Sequence, residues 1–192
     1  MGIQIFRYSR VLTVLWLLSG ITSCSKPPVP KPKAFLYLEY HQPGYKRVVS
    51  DCPYSMAVSE FARWRYTRGC DAVVTYPAMR AQIFITYRRV KDNLKLILSE
   101  ADKLTSAHTV KADAIIPHPY ENPGKRVYGL LSEVEGNAAS NIQFYATDST
   151  HHVITAALYF KVEPNYDSLY PAVQYLKEDM IKMMETLEFK SR

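Results

Sequence analysis

Two segments of the chain carry apolar side chains at the three- and four-residue spacing of an amphipathic helix. The first follows Asp92, which we expect to cap it, and its stripe contains Leu94, Ile97, Leu98, Ala101, Leu104 and His108. The second follows Asp167 or Ser168 as cap, tolerates Pro171 in its first turn, and its stripe contains Leu169, Val173, Leu176, Met180, Met183 and Leu187. Each predicted helix has one apolar stripe and therefore must pack on another layer.

The rest of the chain shows the two-residue alternation and the β-branched or aromatic content of strands. The predicted strands are residues 35–40, 46–50, 72–76, 80–90, 114–118, 127–134, 142–146 and 153–162. Turn residues separate them at Pro43-Gly44, Asn122-Pro123-Gly124 and Asp148-Ser149-Thr150. The pattern predicts an α+β fold, an antiparallel sheet of about six to eight strands with two long amphipathic helices packed on it.

The first residues have the layout of an export signal. Arg7 and Arg10 precede an apolar run at residues 11–18, and small polar residues follow it. The tetrapeptide Ile21-Thr22-Ser23-Cys24 then resembles the lipobox of bacterial lipoproteins, in which cleavage occurs before the cysteine and its thiol is acylated. A transmembrane helix would need ~20 apolar residues, and a plain secretory signal leaves Cys24 unexplained. We therefore predict a lipid anchor at Cys24.

A proline- and lysine-rich segment, SKPPVPKPK at residues 25–33, follows the predicted lipid anchor. It has no apolar face to bury, so we expect an extended tether whose lysines are solvated or lie against anionic headgroups. The predicted organisation is a signal peptide at residues 1–23, a tether with lipidated Cys24 at 24–33, and a single domain at 34–192. Without an acidic run after Cys24, the anchored domain is expected to face the periplasm.

The net charge and the number of cysteines exclude several classes of function and site. The formal net charge of +6 includes the two signal-peptide arginines, and no basic stripe with interleaved aromatics indicates nucleic-acid binding. Besides Cys24 the chain has Cys52 and Cys70, and an even pair in an exported protein predicts a disulfide across an irregular loop. A redox pair would favour C-x-x-C spacing, and a zinc site lacks further ligands.

Few residues have the spacing of a catalytic or metal site. His151 and His152 are adjacent and would point to opposite faces of a strand, and the other histidines show no ligand spacing. Ser140, Asp148 and His151 contain the three residue types of a hydrolytic triad, yet no G-x-S-x-G elbow surrounds the serine. We therefore expect no metal, no cofactor and no enzymatic activity.

Several motifs of the chain together carry a family resemblance. The longest runs from Gly136 to His151, GNAASNIQFYATDSTH, and Ala157-Leu158-Tyr159-Phe160 and Pro164-Asn165-Tyr166-Asp167-Ser168-Leu169 follow it. The others are Asp51-Cys52-Pro53-Tyr54, Ile85-Thr86-Tyr87, HTVKADAI at residues 108–115 and NPGKRVYG at 122–129. Together these motifs resemble the gliding-motility lipoprotein family GldD of Bacteroidetes, and the resemblance covers residues 34–189. It implies a lipid-anchored, periplasm-facing accessory factor of gliding motility and type IX protein secretion, with envelope proteins of that machinery as partners and no catalytic residues.

Two polar turns are the predicted contact surface for such a partner, because loops can present polar groups that a sheet interior cannot. The predicted contact residues are Gly136, Asn137, Ser140, Asn141, Asp148, Thr150 and His151. The Gly136–Ser140 turn also has a purely architectural interpretation. A module that binds cell-wall glycan or lipid would instead need a groove of aromatic and acidic residues, and an enzyme would need a buried cluster with perturbed ionisation. Which membrane holds the anchor stays open.

Overall fold

The computed structural model describes residues 40, 42–107, 112–163 and 165–190, and its largest element is a seven-stranded antiparallel sheet. The strands of this sheet are β3 (Arg63–Tyr66), β4 (Ala72–Tyr76), β5 (Ala81–Arg89), β6 (Ala112–Asn122), β7 (Val127–Gly136), β8 (Ile142–Thr147) and β9 (His152–Phe160). Their spatial order is β3-β4-β5-β9-β8-β7-β6. Every neighbouring pair is antiparallel, so short connections alternate between the two ends of the sheet.

A second, three-stranded sheet has the order β1-β2-β10. It consists of β1 (Tyr45–Val48), β2 (Tyr54–Ser59) and β10 (Glu188–Phe189). All six residues of β2 are buried, because β2 is the central strand of this sheet and also packs against a helix. The small sheet therefore contributes to the interior and is not a surface addition.

Two helices complete the fold, α1 (Leu94–Ala107) and α2 (Tyr166–Thr186). The α2 helix begins after Asn165, whose side chain accepts a hydrogen bond from the Ser168 amide. It buries Val173, Leu176, Asp179, Met180, Met183 and Met184. These methionines pack with β2 and with the inward residues of the large sheet, such as Ile83 and Ile85, so the core lies between the large sheet and the layer of α2 and the small sheet.

The α1 helix lies on the other face of the large sheet. Phe84 and Thr86 alternate with the core residues of β5, and they line a cavity of about 410 Å³ together with Ala101 and Asp102 of α1. In the part of α1 whose side chains are described, residues 94–103, only Ile97 is buried. This face is therefore much less tightly covered than the core face.

The predicted α+β class and antiparallel sheet agree with the structure, but the prediction of two long amphipathic helices packed on the sheet is not confirmed. Asp92 has a positive φ of 58° and lies two residues before α1, so it is not the residue that caps the helix. Likewise α2 begins earlier than predicted, with Asn165 as cap. Pro171 consequently lies inside α2, beyond its first turn.

The region between Cys52 and Cys70 was predicted to be irregular, and that prediction is wrong. It contains β2 and β3. The burial of all of β2 removes the polar alternation that marks a half-exposed strand. In β3 the alternation is present, with exposed arginines and half-buried Trp64 and Tyr66, and the sequence analysis missed it. The predicted strand at 35–40 lies outside the described residues except at Tyr40.

The strand register defines two opposite ends of the large sheet. At the Asp148 end, the β8–β9 turn, the β6–β7 turn and Arg89 at the end of β5 come together. At the Asn137 end lie the β7–β8 turn and the end of β9 at Phe160. The predicted contact residues are distributed between these two ends.

Candidate functional site

The two turns predicted to form one partner surface lie at opposite ends of β8. The β7–β8 turn precedes Ile142 and the β8–β9 turn follows Thr147, with the six residues of β8 between them. At ~3.4 Å per residue this separates the turns by roughly 17 Å. The structure therefore does not bring the two predicted groups of contact residues together.

At the Asn137 end, the predicted contact residues are engaged in closing the turn. Asn141 is 3% exposed, and its Nδ2 donates to the carbonyl oxygens of Val134 at 2.9 Å and Gly136 at 3.1 Å. Ser140 is fully buried and donates to the Ile142 carbonyl at 3.3 Å. Asn141 was expected to be an exposed contact position. That expectation is corrected, because its amide replaces backbone partners inside the turn.

Asn137 is exposed, but its side chain also has an architectural partner. Its Oδ1 accepts a hydrogen bond of 2.8 Å from the Tyr166 backbone amide, the first residue of α2. The first amides of a helix lack partners within the helix. Asn137 therefore connects the β7–β8 turn to the beginning of α2.

At the Asp148 end, one carboxylate oxygen organises the β8–β9 turn. Asp148 Oδ1 accepts from the backbone amides of Thr150 at 3.0 Å, His151 at 2.8 Å and His152 at 2.8 Å. Burial opposes ionisation of Asp148, but these amide hydrogen bonds outweigh it, and its pKa is lowered. The turn is thus held in one shape by an ionised carboxylate, while Thr150 and His151 are exposed at its tip.

The residues of the triad considered from sequence do not meet. Ser140 lies buried at the Asn137 end, whereas Asp148 and His151 lie at the other end of β8. Among the described residues, no group of three or more His, Cys, Asp or Glu side chains is arranged to hold a metal ion. Ser140, Asp148 and His151 therefore cannot act as one nucleophilic unit.

A cavity of about 420 Å³, the basic pocket, lies beside the β8–β9 turn. Its lining residues are Arg89, Lys125, Arg126, Asp148, His151, His152, Phe189 and Lys190. His151 lies in the turn and His152 begins β9, so both adjacent histidines line one pocket. Sequence reasoning had placed them on opposite faces of a strand, because it extended the strand alternation into the turn.

A buried carboxyl group, that of Asp179, lies on α2. Asp179 is 1% exposed, and it accepts hydrogen bonds from the hydroxyl groups of Tyr45 at 2.7 Å and Tyr76 at 2.8 Å. Burial raises the pKa of Asp179, the two hydroxyl donors lower it, and the net direction is upward. The pKa values of both tyrosines are raised as well, by burial and by the neighbouring carboxyl group.

An open cleft of about 370 Å³, the aromatic cleft, lies next to this carboxyl group. It is lined by Tyr40, Phe61, Arg63, Tyr76, Pro77, Ala78, Met79 and Tyr175. The rings of Tyr40 and Tyr175 are 4.6 Å apart, and Phe61 is 55% exposed. These residues come from four separate segments of the chain, so no local sequence pattern indicates the cleft.

Cys52 and Cys70 form the predicted disulfide, with Cα atoms 5.6 Å apart. The Tyr54 hydroxyl donates to the Cys70 carbonyl at 2.6 Å and reinforces the same junction between β2 and the β3–β4 turn. Cys24, the predicted signal peptide and the tether lie outside the described residues. Within the described part of the chain, neither helix has the length and apolar character needed to cross a membrane.

The chain is similar to a known protein family. The model of the family described as gliding motility lipoprotein GldD matches residues 25–189. No curated protein matches the chain. The match includes every strand and helix described above, the basic pocket except Lys190, and both cysteines of the disulfide.

Proposed function

The chain belongs to the GldD family of gliding motility lipoproteins, which makes it a membrane-anchored lipoprotein associated with gliding motility, and we propose that it holds an envelope complex of this machinery together. In this proposal the domain faces the periplasm, serves gliding motility and type IX secretion, and acts without turnover of its own. The observation that carries the proposal is the family match, because it extends over the whole described domain.

We place the contact surface for a partner protein at the β8–β9 turn. Thr150 and His151 are exposed at its tip, and Asp148 holds the backbone beneath them. A preorganised turn loses little conformational entropy on binding, which favours its use as a contact surface. Ser140 and Asn141 are not part of the proposed surface, because both are buried.

The environments of the carboxyl groups with shifted pKa values support a role without turnover. Both oxygens of Asp179 accept tyrosine hydroxyl groups. Glu133 is 6% exposed and accepts from Gln174 at 2.6 Å and Lys177 at 3.1 Å; burial opposes its ionisation, but these partners leave its pKa lowered. Each of these carboxyl groups forms hydrogen bonds between a strand and α2, and we take its role to be stabilisation of that packing.

The proposal is tested by replacing Thr150→Trp in the native organism and measuring secretion of type IX substrates and cell spreading. Because the Thr150 side chain is exposed, the variant should fold normally while its bulk blocks a partner. Ala139→Trp is the matched control, an exposed position in the turn at the other end of β8. We expect Thr150→Trp to impair secretion with unchanged abundance and melting temperature, and Ala139→Trp to have no effect.

One result would contradict the proposed contact surface, and another would contradict the proposed function. Impairment by Ala139→Trp with normal secretion in Thr150→Trp would place the contact at the opposite end of the sheet. Normal secretion and motility after deletion of the whole gene would overturn the proposed function itself.

The aromatic cleft favours one second candidate function, a cell-wall glycan-binding module. Tyr40, Tyr175 and exposed Phe61 offer ring faces, and Arg63 supplies a polar group at the same cleft. Clefts of this size with a few polar groups are typical small-ligand sites. Co-sedimentation with purified peptidoglycan should then fall in Tyr175→Ala. Tyr159→Ala, a partly exposed tyrosine on the face covered by α1, is the control and should bind normally.

A further inference from the structure

Four cationic side chains from three separate segments converge on the basic pocket. Arg89 ends β5, Lys125 and Arg126 belong to the β6–β7 turn, and Lys190 follows β10. The only carboxylate that lines the pocket among the described residues is that of Asp148. Like charges brought together repel one another, so the folded state gains if an anion occupies the space between them.

Asp148 does not neutralise these cations effectively. Its Oδ1 accepts three backbone amides of the β8–β9 turn, and its other oxygen, Oδ2, is 3.9 Å from His151 Nδ1. Its charge is therefore used mainly to hold the turn. No carboxylate of the described residues lies within 4.0 Å of the Arg89 or Arg126 guanidinium group. Among the same residues, the hydrogen bond of the Arg126 guanidinium is a weak one of 3.4 Å to the Thr150 hydroxyl.

The two lysines are partly engaged. Lys125 Nζ donates to the Glu185 carbonyl at 3.1 Å and lies 3.4 Å from Glu188 Oε1 at the rim. Glu188 is shared with Arg47, which binds both of its oxygens at 2.9 and 3.1 Å. Lys190 Nζ donates to the Ser50 carbonyl, an interaction without a negative charge. The pocket thus keeps an excess of positive charge after its neighbouring carboxylates are counted.

Two ring side chains that line the pocket, His152 and Phe189, are held by contacts with their neighbours. The rings of His152 and Phe189 stack with centroids 5.3 Å apart and planes 13° from parallel. His152 Nδ1 is 2.8 Å from the Tyr87 hydroxyl, and this contact also holds the imidazole. These ring contacts, together with the turn held by Asp148, fix the backbone and ring surfaces that lie among the cations before a ligand arrives.

We propose that the basic pocket binds a phosphate group, with Arg89 and Arg126 as its principal donors. A guanidinium group presents paired N–H donors that match phosphate oxygens, and Lys125 and Lys190 add point charges. A volume of about 420 Å³ accommodates a phosphate together with the group to which it is esterified. The phosphate belongs either to a small soluble ester or to an anionic lipid headgroup. This inference does not depend on the proposed assembly role, since binding is measured on the isolated protein.

The first arm of the test uses the full mature lipoprotein in a neutral detergent, with inorganic phosphate as the probe and chloride at equal ionic strength as the reference. A ligand that binds only the folded state raises the melting temperature with concentration. We expect phosphate to raise the melting temperature of the wild-type protein, and the Arg89→Gln/Arg126→Gln double variant to lose at least tenfold in apparent affinity. Lys46→Gln/Lys161→Gln, which removes two exposed cations elsewhere, should respond like the wild type.

The second arm replaces free phosphate by micelles doped with phosphatidylglycerol, compared with micelles doped with phosphatidylcholine. Stabilisation by phosphatidylglycerol that the double variant lacks, with a weaker effect of free phosphate, identifies a lipid headgroup as the source. The opposite ranking identifies a soluble phosphate. Should the double variant fold poorly, Arg126→Gln alone serves, because this side chain is exposed and its hydrogen bond to Thr150 is weak.

Three outcomes overturn the proposal. The first is no stabilisation in either arm. The second is stabilisation of equal size in the wild-type protein and the double variant, which would reflect a general salt effect. The third is stabilisation by a polyglutamate peptide without any by phosphate or phosphatidylglycerol, which would make the pocket a docking site for an acidic protein.

Discussion

The Tyr76 hydroxyl donates a 2.8 Å hydrogen bond to Asp179 Oδ2 across 103 residues of sequence, at a point where both residues are buried. Tyr45 donates to the other carboxylate oxygen at 2.7 Å. One carboxyl group on α2 therefore joins the end of β4 in the large sheet to β1 in the small sheet. It is the polar junction of the two sheets and the helix.

Tyr76→Phe is expected to lower the free energy of unfolding by about 1–3 kcal/mol, because it leaves a buried carboxyl oxygen without its donor. Chemical denaturation of the purified domain measures this directly. Tyr159→Phe removes a hydroxyl group from a partly exposed position and should change stability by less than about 0.5 kcal/mol. Equal stability of Tyr76→Phe and wild type would show that the hydrogen bond contributes nothing.

Asp179 gives a pH dependence of defined sign. Because burial raises its pKa in the folded state above the unfolded value of 3.8, the folded protein holds this proton more strongly. The favourable contribution is complete below pH 3.8 and is lost as the pH rises through the folded pKa. Asp179→Asn removes the titration, so the stability of the variant relative to wild type should increase between about pH 4 and about pH 7.

Denaturation curves at both pH values check this prediction, with Glu121→Gln, an exposed position, as the control for general charge effects. A constant difference between Asp179→Asn and wild type at the two pH values would show that the Asp179 pKa is not raised.

Asp148 should have the opposite pH dependence. Its pKa is lowered in the folded state, so its contribution to stability is present above the unfolded pKa of 3.8 and is lost as the pH falls through the folded pKa. Asp148→Ala leaves three turn amides without their acceptor and should cost about 1–3 kcal/mol near neutral pH. Asp148→Asn keeps an acceptor oxygen and should cost less. Similar losses in both variants would rule out hydrogen bonding as the cause.

Loss of the Cys52–Cys70 disulfide should lower the free energy of unfolding by about 3 kcal/mol, through the entropy of the unfolded chain. The bridge encloses a sequence separation of 18 residues. Cys52→Ala/Cys70→Ala tests the magnitude by denaturation, and reduction of the wild-type protein should produce a similar loss. Free thiols titrating in the folded, unreduced protein would contradict the bridge.

Cys24→Ser is expected to abolish acylation and leave the precursor uncleaved or mislocalised, because the thiol is the predicted lipid attachment point. Mass spectrometry of the mature N-terminus checks this in the wild-type protein, where a lipid-bearing Cys24 should be the first residue. An unmodified terminus at any other residue would refute the prediction.

Local pattern was sufficient for the elements that have one clear face. The predicted strand 72–76 coincides with β4, and the stripe of apolar residues from Val173 to Met183 is the buried face of α2. The disulfide followed from the number of cysteines in an exported chain. The strand and the helix depend on the spacing of residues that are close in sequence. Such a periodic stripe is visible without knowledge of how the rest of the chain folds.

Only the tertiary structure decided which residues meet. Asn141 resembles any exposed turn residue in the sequence, but the register of β7 and β8 places its amide on two backbone carbonyls. The basic pocket and the Tyr76–Asp179 pair combine segments far apart along the chain, so no short-range pattern records them. Burial on both faces likewise removed the alternation that would have revealed β2. The sequence by itself determined the elements that have one clear face, the bridge and the family. Strand order, register and layer packing determined the pocket, the cleft and the buried carboxyl group, because these are properties of contacts between distant segments.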